Sequence, residues 1–167
     1  MNPIIIIGSG HAGISLAREI RLKDQKIPIT LISRENVNHY YKPNLSKALS
    51  LGKYPFQLIM KPMDKLATDL DIQIIERTDV TGIDISNKEI TAFTVGKKPH
   101  LLSYQSLVFA VGADAIKLPL SGNAAEKVIS INNLADYQLF REEIADIKQV
   151  LIIGAGFVGC EFAGDLS

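Results

Sequence analysis

Pro3-Ile4-Ile5-Ile6-Ile7-Gly8-Ser9-Gly10-His11-Ala12-Gly13-Ile14-Ser15-Leu16-Ala17 decides how the chain is read. Consecutive isoleucines suit a strand buried on both faces, as in a parallel sheet. The residues after Gly13 place Ile14, Ala17 and Ile20 on one side of a helix and Arg18, Glu19 and Arg21 on another. G-x-G-x-x-G at a strand-to-helix turn is the fingerprint of a dinucleotide's pyrophosphate. Gly8 permits the tight turn. Gly10, having no Cβ, lets the backbone approach the phosphates, and Gly13 lets the helix pack closely on the strand. The helix N-terminus then offers free N–H groups and a partial positive charge, a term of roughly 0.3–2 kcal/mol. The motif alone is also compatible with a glycine-rich turn that binds nothing.

The second half of the chain repeats the pattern. Val150-Leu151-Ile152-Ile153 is expected to be another buried strand, and Gly154-Ala155-Gly156-Phe157-Val158-Gly159 follows it. A helix is expected to hold Cys160, Glu161, Phe162 and Ala163. Two accidental copies are far less probable than one. Two nucleotide sites in one chain suggest a flavin site followed by a nicotinamide site. The second βαβ unit is unfinished at Ser167, so the polypeptide is expected to be the N-terminal part of a longer protein.

Between the turns, Ile29 to Ser33 reads as a second strand that completes a βαβ unit. Such strands often end in an acid that binds ribose hydroxyls; this one ends Ser33-Arg34-Glu35. Glu35 or the Ser33 hydroxyl could meet an adenosine ribose. Arg34 could instead pair with a 2′-phosphate, which would make an NADP site, or these charges could simply be solvated. In Tyr40 to Lys47, Pro43 biases Lys42 away from helix, and Asn44 or Ser46 could cap a short helix through Ser50, closed by Gly52. Lys42 and Lys47 suit an anionic ligand or a plain solvated surface.

Pro55 and Pro62 bracket a loop, and Lys65 to Leu70 reads as a helix. Ile72–Glu76, Val80–Ile85, Lys88–Val95 and Leu101–Ser103 read as strands, suggesting a small antiparallel layer. Leu107 to Ala110 is a further apolar strand. Asn133 is the expected N-cap of a helix to Ile147, with Asp136 at the capping-box position. Its stripe of Leu134, Tyr137, Phe140, Ile144 and Ile147 is expected to be core.

Composition narrows the function classes. With 18 basic and 18 acidic residues in 167, nothing favours nucleic acid or a polybasic membrane patch. No apolar run approaches a transmembrane length. The lone cysteine, Cys160, rules out an intrachain disulfide framework and suits a reducing cytoplasm; it is expected to be a small buried residue in a helix. His11, His39 and His100 are scattered, and no metal-ligand spacing appears.

The order of G-S-G-H-A-G (8–13), Y-K-P-N-L-S-K (41–47), L-V-F-A-V-G-A (107–113) and G-A-G-F-V-G-C-E-F-A-G-D-L (154–166) resembles the FAD-dependent pyridine nucleotide-disulfide oxidoreductase superfamily. The K-P-x-L-S segment and G-C-E-F-A-x-D-L resemble its bacterial rubredoxin–NAD(+) reductase branch most. The resemblance implies an α/β fold: a Rossmann-like FAD-binding domain over 1–115, with a parallel sheet and a small antiparallel layer, then the start of a Rossmann-like NAD-binding domain over 116–167. It implies that Gly8, Ser9, Gly10, His11, Ala12 and Gly13 hold the FAD pyrophosphate and that Ser33 and Arg34 sit at the adenosine ribose. Lys42 would contact FAD, and the Val80 main chain would meet the adenine. Gly154, Gly156 and Gly159 would cradle the NADH pyrophosphate. Glu161 would lie beside the isoalloxazine, paired with Lys47. No side chain is assigned a catalytic role of its own.

The resemblance further implies electron transfer from NADH through flavin to rubredoxin, often in service of alkane hydroxylation. Flavorubredoxin or ferredoxin are alternative acceptors, and a non-enzymatic dinucleotide sensor is an alternative of another class. Disulfide reductases of the superfamily carry a redox cysteine pair shortly after the first βαβ unit. Ser33 to Gly52 has no cysteine, so electrons would leave the flavin directly.

Overall fold

The computed structural model describes residues 1–167. In chain order it contains β1 (Ile4–Ile7), α1 (His11–Lys23), β2 (Ile29–Ile32), β3 (Asn38–Tyr40), β4 (Ile59–Pro62), α2 (Met63–Leu70), β5 (Gln73–Ile75), β6 (Thr78–Asp84), β7 (Glu89–Thr94), β8 (His100–Ser103), β9 (Ser106–Phe109), α3 (Leu134–Glu143) and α4 (Phe157–Leu166). Lys42–Lys47 and Pro55–Leu58 form 3₁₀ turns. The chain divides into two compact units, 1–39 with 60–112 and 40–59 with 113–167.

The first unit is built on a four-stranded sheet of order β5-β2-β1-β9. β1 runs parallel to both β2 and β9, and β2 parallel to β5. The isoleucine run therefore sits between two neighbours, with Ile5 and Ile6 buried, as its unbroken apolarity requires. Ile6, Ile14, Ala17, Leu31 and Leu66 close the core on the helical side, while Ile5, Ile32, Ile90 and Tyr104 close the other. The second cluster lies under the antiparallel layer β6-β7-β8. The expected strand at 72–76 forms, but as a parallel partner of β2 rather than part of that layer. Its Ile74 packs into the α1 side of the core, which the sheet edge reaches.

The second unit packs Leu45, Ala48, Leu58, Tyr137, Phe140 and Phe162 around one centre. Asn133 caps α3 as expected: its side chain accepts from the Asp136 N–H at 2.9 Å, and Asp136 accepts from the Asn133 N–H at 3.2 Å. α3 stops at Glu143 rather than Ile147. Leu134, Tyr137, Phe140 and Ile144 join the core, but Ile147 is 55% exposed, so burial gives no reason for another turn.

Five further expectations are corrected here. Lys42 opens the 3₁₀ turn instead of lying outside it: Tyr41 takes the extended N-cap conformation and Pro43 sits within the first turn, where proline is tolerated. Neither Asn44 nor Ser46 caps it; Ser46 lies inside, buried. Pro55 to Pro62 is a 3₁₀ turn followed by β4 rather than a plain loop. Val150–Ile153 forms no strand. No neighbouring strand supplies a ladder, and only Ile152 reaches the core while Leu151 is 86% exposed. Cys160 is exposed, not buried, because α4 turns Phe162 and Asp165 inward and leaves the thiol on the other face.

Candidate functional site

In the first unit, β1 delivers the chain into its turn between two neighbours. The Gly8 N–H donates to the Ile32 carbonyl at 2.8 Å, and the Ala110 N–H to the Ile7 carbonyl at 2.7 Å. Gly8 has φ +114°, and a Cβ there would lie 2.0 Å from the Ala110 carbonyl oxygen. A Cβ on Gly13 would lie 2.0 Å from the Gly8 carbonyl oxygen. Both glycines are thus demanded by the fold itself. Gly10 differs. It is the N-cap of α1 and has an ordinary extended backbone, and nothing lies within 4 Å of where its Cβ would stand.

The space beside Gly10 is open, and the first turn of α1 has no preceding carbonyls for its N–H groups and carries no acidic residue. That cradle suits a diphosphate. His11 and Ala12 form the exposed beginning of the helix.

Ser9 and Ser33 tie the turn to the end of β2, their hydroxyls 2.7 Å apart. Ser33 is buried and also accepts the Glu35 N–H at 3.2 Å. Arg34 is exposed and donates to Asp79 at 2.9 Å. Val80 follows on β6, partly buried against the Ile5 cluster, beside a register shift between Val80 and Gly82.

In the second unit the turn geometry recurs. Gly154 has φ +118°, Gly156 is the extended, open N-cap of α4, and a Cβ on Gly159 would lie 2.2 Å from the Gly154 carbonyl oxygen. The Cys160 N–H returns to the Gly156 carbonyl at 3.0 Å, as Ile14 does to Gly10 at 3.1 Å. The first turn of α4 has no acidic residue either, so the same diphosphate fit holds.

One helical turn further on, Glu161 meets the 42–47 segment. Ser46 Oγ is 2.5 Å from Glu161 Oε2, and Lys47 Nζ is 3.6 Å from Oε1. The Ser46 hydroxyl holds the Glu161 carboxyl below the usual carboxylate range; burial is the next effect and opposes it, and the Lys47 charge adds a smaller lowering. Lys42 is exposed at the start of the same turn. Asp165 is buried and accepts from the Leu49 N–H, the Ser50 N–H and the Ser50 hydroxyl at 2.9, 2.9 and 2.5 Å.

The structure brings Lys47 to Glu161 but also supplies two partners that sequence reasoning did not assign: Ser46, read there only as a possible cap, and Asp165. The signal for Asp165 was present. Glu161 and Asp165 are four residues apart, on one helix face, where like charges repel unless each has its own partner. No grouping of His, Cys, Asp and Glu could hold a metal, and no helix is long and apolar enough to cross a membrane.

A parallel sheet whose central strand enters a glycine turn, with a second turn of the same geometry, defines a dinucleotide-binding α/β protein. The model of the pyridine nucleotide-disulphide oxidoreductase family matches residues 2–167, and the chain belongs to that family. It is 40% identical over its full length to the rubredoxin-NAD(+) reductase of Alcanivorax borkumensis, of which it covers 42%. Over 99% of its length it is 33% identical to the nitric oxide reductase FlRd-NAD(+) reductase of Vibrio vulnificus, again covering 42%. Among solved structures, the NADH:rubredoxin oxidoreductase of Clostridium acetobutylicum is similar over 98% of this chain and 41% of its own, with 29% identity and a TM-score of 0.79. The chain therefore spans about two-fifths of the length of these relatives.

Proposed function

We propose that residues 1–167 carry the FAD pyrophosphate site and the first turn of the NADH site of a flavoprotein that passes electrons from NADH to rubredoxin. The observation that carries this reading is the pair of glycine turns with matching geometry, each opening onto a helix N-terminus free of acidic residues. Gly8 to Gly13 hold the FAD diphosphate, with Ser33 and Arg34 at its ribose, Lys42 against the cofactor and the Val80 main chain at the adenine. Gly154, Gly156 and Gly159 hold the diphosphate of NADH. Glu161 and Lys47 stand where flavin and nicotinamide meet. On this reading 1–115 is the FAD-binding segment and 116–167 opens the NAD-binding domain.

Bound flavin supplies the chemistry of taking a hydride and releasing electrons singly. The chain's residues bind and orient. Ser33 to Gly52 holds no cysteine pair, which supports direct transfer from flavin to an external acceptor. The relatives' names support rubredoxin first and flavorubredoxin second. A cytoplasmic setting and a link to alkane hydroxylation complete the reading.

The test is anaerobic. The complete protein should be yellow, bleach on mixing with NADH, and recover its colour faster with oxidised rubredoxin than with ferredoxin. A colourless protein that gains no NADH-reducible chromophore from added FAD would overturn the reading, and faster recovery with ferredoxin would overturn the acceptor.

A further inference from the structure

The contact between α4 and the 42–50 segment contains more than the ion pair that the family resemblance implied. We propose that Ser46 is a positioning residue for the Glu161 carboxylate, and that Asp165 holds the segment that presents Ser46. The inference rests on the reading that Glu161 stands where flavin and nicotinamide meet.

The argument begins with one proton. The Ser46 hydroxyl has two acceptors within reach, Glu161 Oε2 at 2.5 Å and the Pro43 carbonyl at 3.1 Å. A hydroxyl donates once. The charged acceptor, at a charge-assisted distance, takes the proton. Lys47, at 3.6 Å and with both side chains well exposed, is a loose, solvent-screened partner by comparison. Ser46 is buried and fixed within the 3₁₀ turn, so its bond has a direction that a flexible lysine cannot impose. If Glu161 becomes protonated, its own O–H can donate to Ser46, and the Ser46 proton turns to Pro43. The pair therefore has two complete hydrogen-bonding arrangements, one for each charge state of Glu161.

Asp165 supplies the rigidity. Its carboxylate receives two consecutive N–H groups and a hydroxyl from Leu49 and Ser50, one turn of chain beyond Ser46. Glu161 and Asp165 thus meet the same segment at two points from one helix face. The groups facing Glu161 are Ser46 and Lys47 from that segment and Asp165 from its own helix.

Two measurements on the complete protein test this. Carbon-13 NMR of glutamate-labelled protein, with the Glu161 resonance assigned by its loss in Glu161→Gln, follows the carboxyl through an acid titration. Its midpoint should rise in Ser46→Ala, stay near wild type in Ser46→Thr, and rise less in Lys47→Met than in Ser46→Ala. Stopped-flow reduction by NADH is the second. Ser46→Ala should keep its flavin and slow reduction about tenfold, Ser46→Thr should restore it, and Ser46→Ala should add nothing in a Glu161→Gln background.

Asp165→Asn should raise hydrogen exchange at Leu49 and Ser50 and slow reduction in the wild-type background only. An unmoved Glu161 midpoint in Ser46→Ala, or equal slowing in the presence and absence of Glu161, overturns the positioning role. If Ser46→Ala moves the midpoint but Glu161→Gln reduces at the wild-type rate, the placement of Glu161 beside the reacting rings falls instead, and the role proposed here falls with it.

Discussion

The two glycine turns are nearly the same object in different surroundings. Gly8 and Gly154 share a φ near +115°, and Gly13 and Gly159 share the same close approach to a backbone oxygen. Yet the first turn is walled by Ala110 and fed by a strand paired on both sides, while nothing lies within 4 Å of a Cβ on Gly154 and its approach, 150–153, pairs with no strand. The turn's shape is therefore a local property of G-x-G-x-x-G before a helix. Its burial is supplied by the sheet around it.

The comparison breaks most visibly at the first glycine. Gly8→Ala combines a left-handed backbone with a collision against Ala110, and should destabilise the first unit by about 4 kcal/mol. Gly154→Ala meets only the backbone strain, about 1–2 kcal/mol. Denaturant melts monitored in each unit would decide; equal losses would mean that surroundings do not matter. Hydrogen exchange on residues 1–167 sharpens the same contrast: the amides of Ile5 to Ile7 should open only with the whole unit, and those of Leu151 to Ile153 far more readily.

Gly13→Ala and Gly159→Ala should cost similar amounts, about 1–3 kcal/mol, since both new methyls meet the carbonyl oxygen of the motif's first glycine, Gly8 or Gly154. A large inequality in the melts would show that the two helices are seated differently. Gly10→Ala and Gly156→Ala fill open space and should change stability by less than about 0.5 kcal/mol, while weakening retention of FAD and of NADH respectively in equilibrium dialysis. Unchanged binding in both would remove the cradle reading.

The smallest effect is one of pH. The first turn is tied by two neutral hydroxyls, Ser9 and Ser33, and the second unit's contact by an ionised Glu161. Because Glu161's carboxyl is lowered, the charge-assisted bond is fully present above the usual carboxylate range and gives way to the weaker neutral arrangement as pH falls through its own depressed value. Acid should loosen Ser46 and spare Ser9 and Ser33, which exchange and NMR shifts can follow.

Much of this was legible from residues alone, for reasons that differ by element. The isoleucines of β1 announce two-sided burial because no polar side chain interrupts them, and Asn133 with Asp136 announces a reciprocal cap by spacing. Val150–Ile153 carries the same announcement as β1 and yet forms no strand, because apolarity states what a segment would bury against, not whether a partner is beside it. Cys160 failed for a related reason: which face of α4 is covered depends on Phe162 and Asp165 packing elsewhere. Ser46 was invisible as a partner because its acceptor lies 115 residues away in sequence, beyond any local rule.

Arg21 has a consequence at the opposite end of α1 from Gly10. Its guanidinium donates to the carbonyls of Leu70, Asp24 and Asp71, gathering the tails of α1 and α2 with one planar fork. A lysine has no such fork and could not span the three oxygens. The first helix is thus moored at its rear, and the open space beside Gly10 at its front can admit a guest without the rod that carries it having to shift.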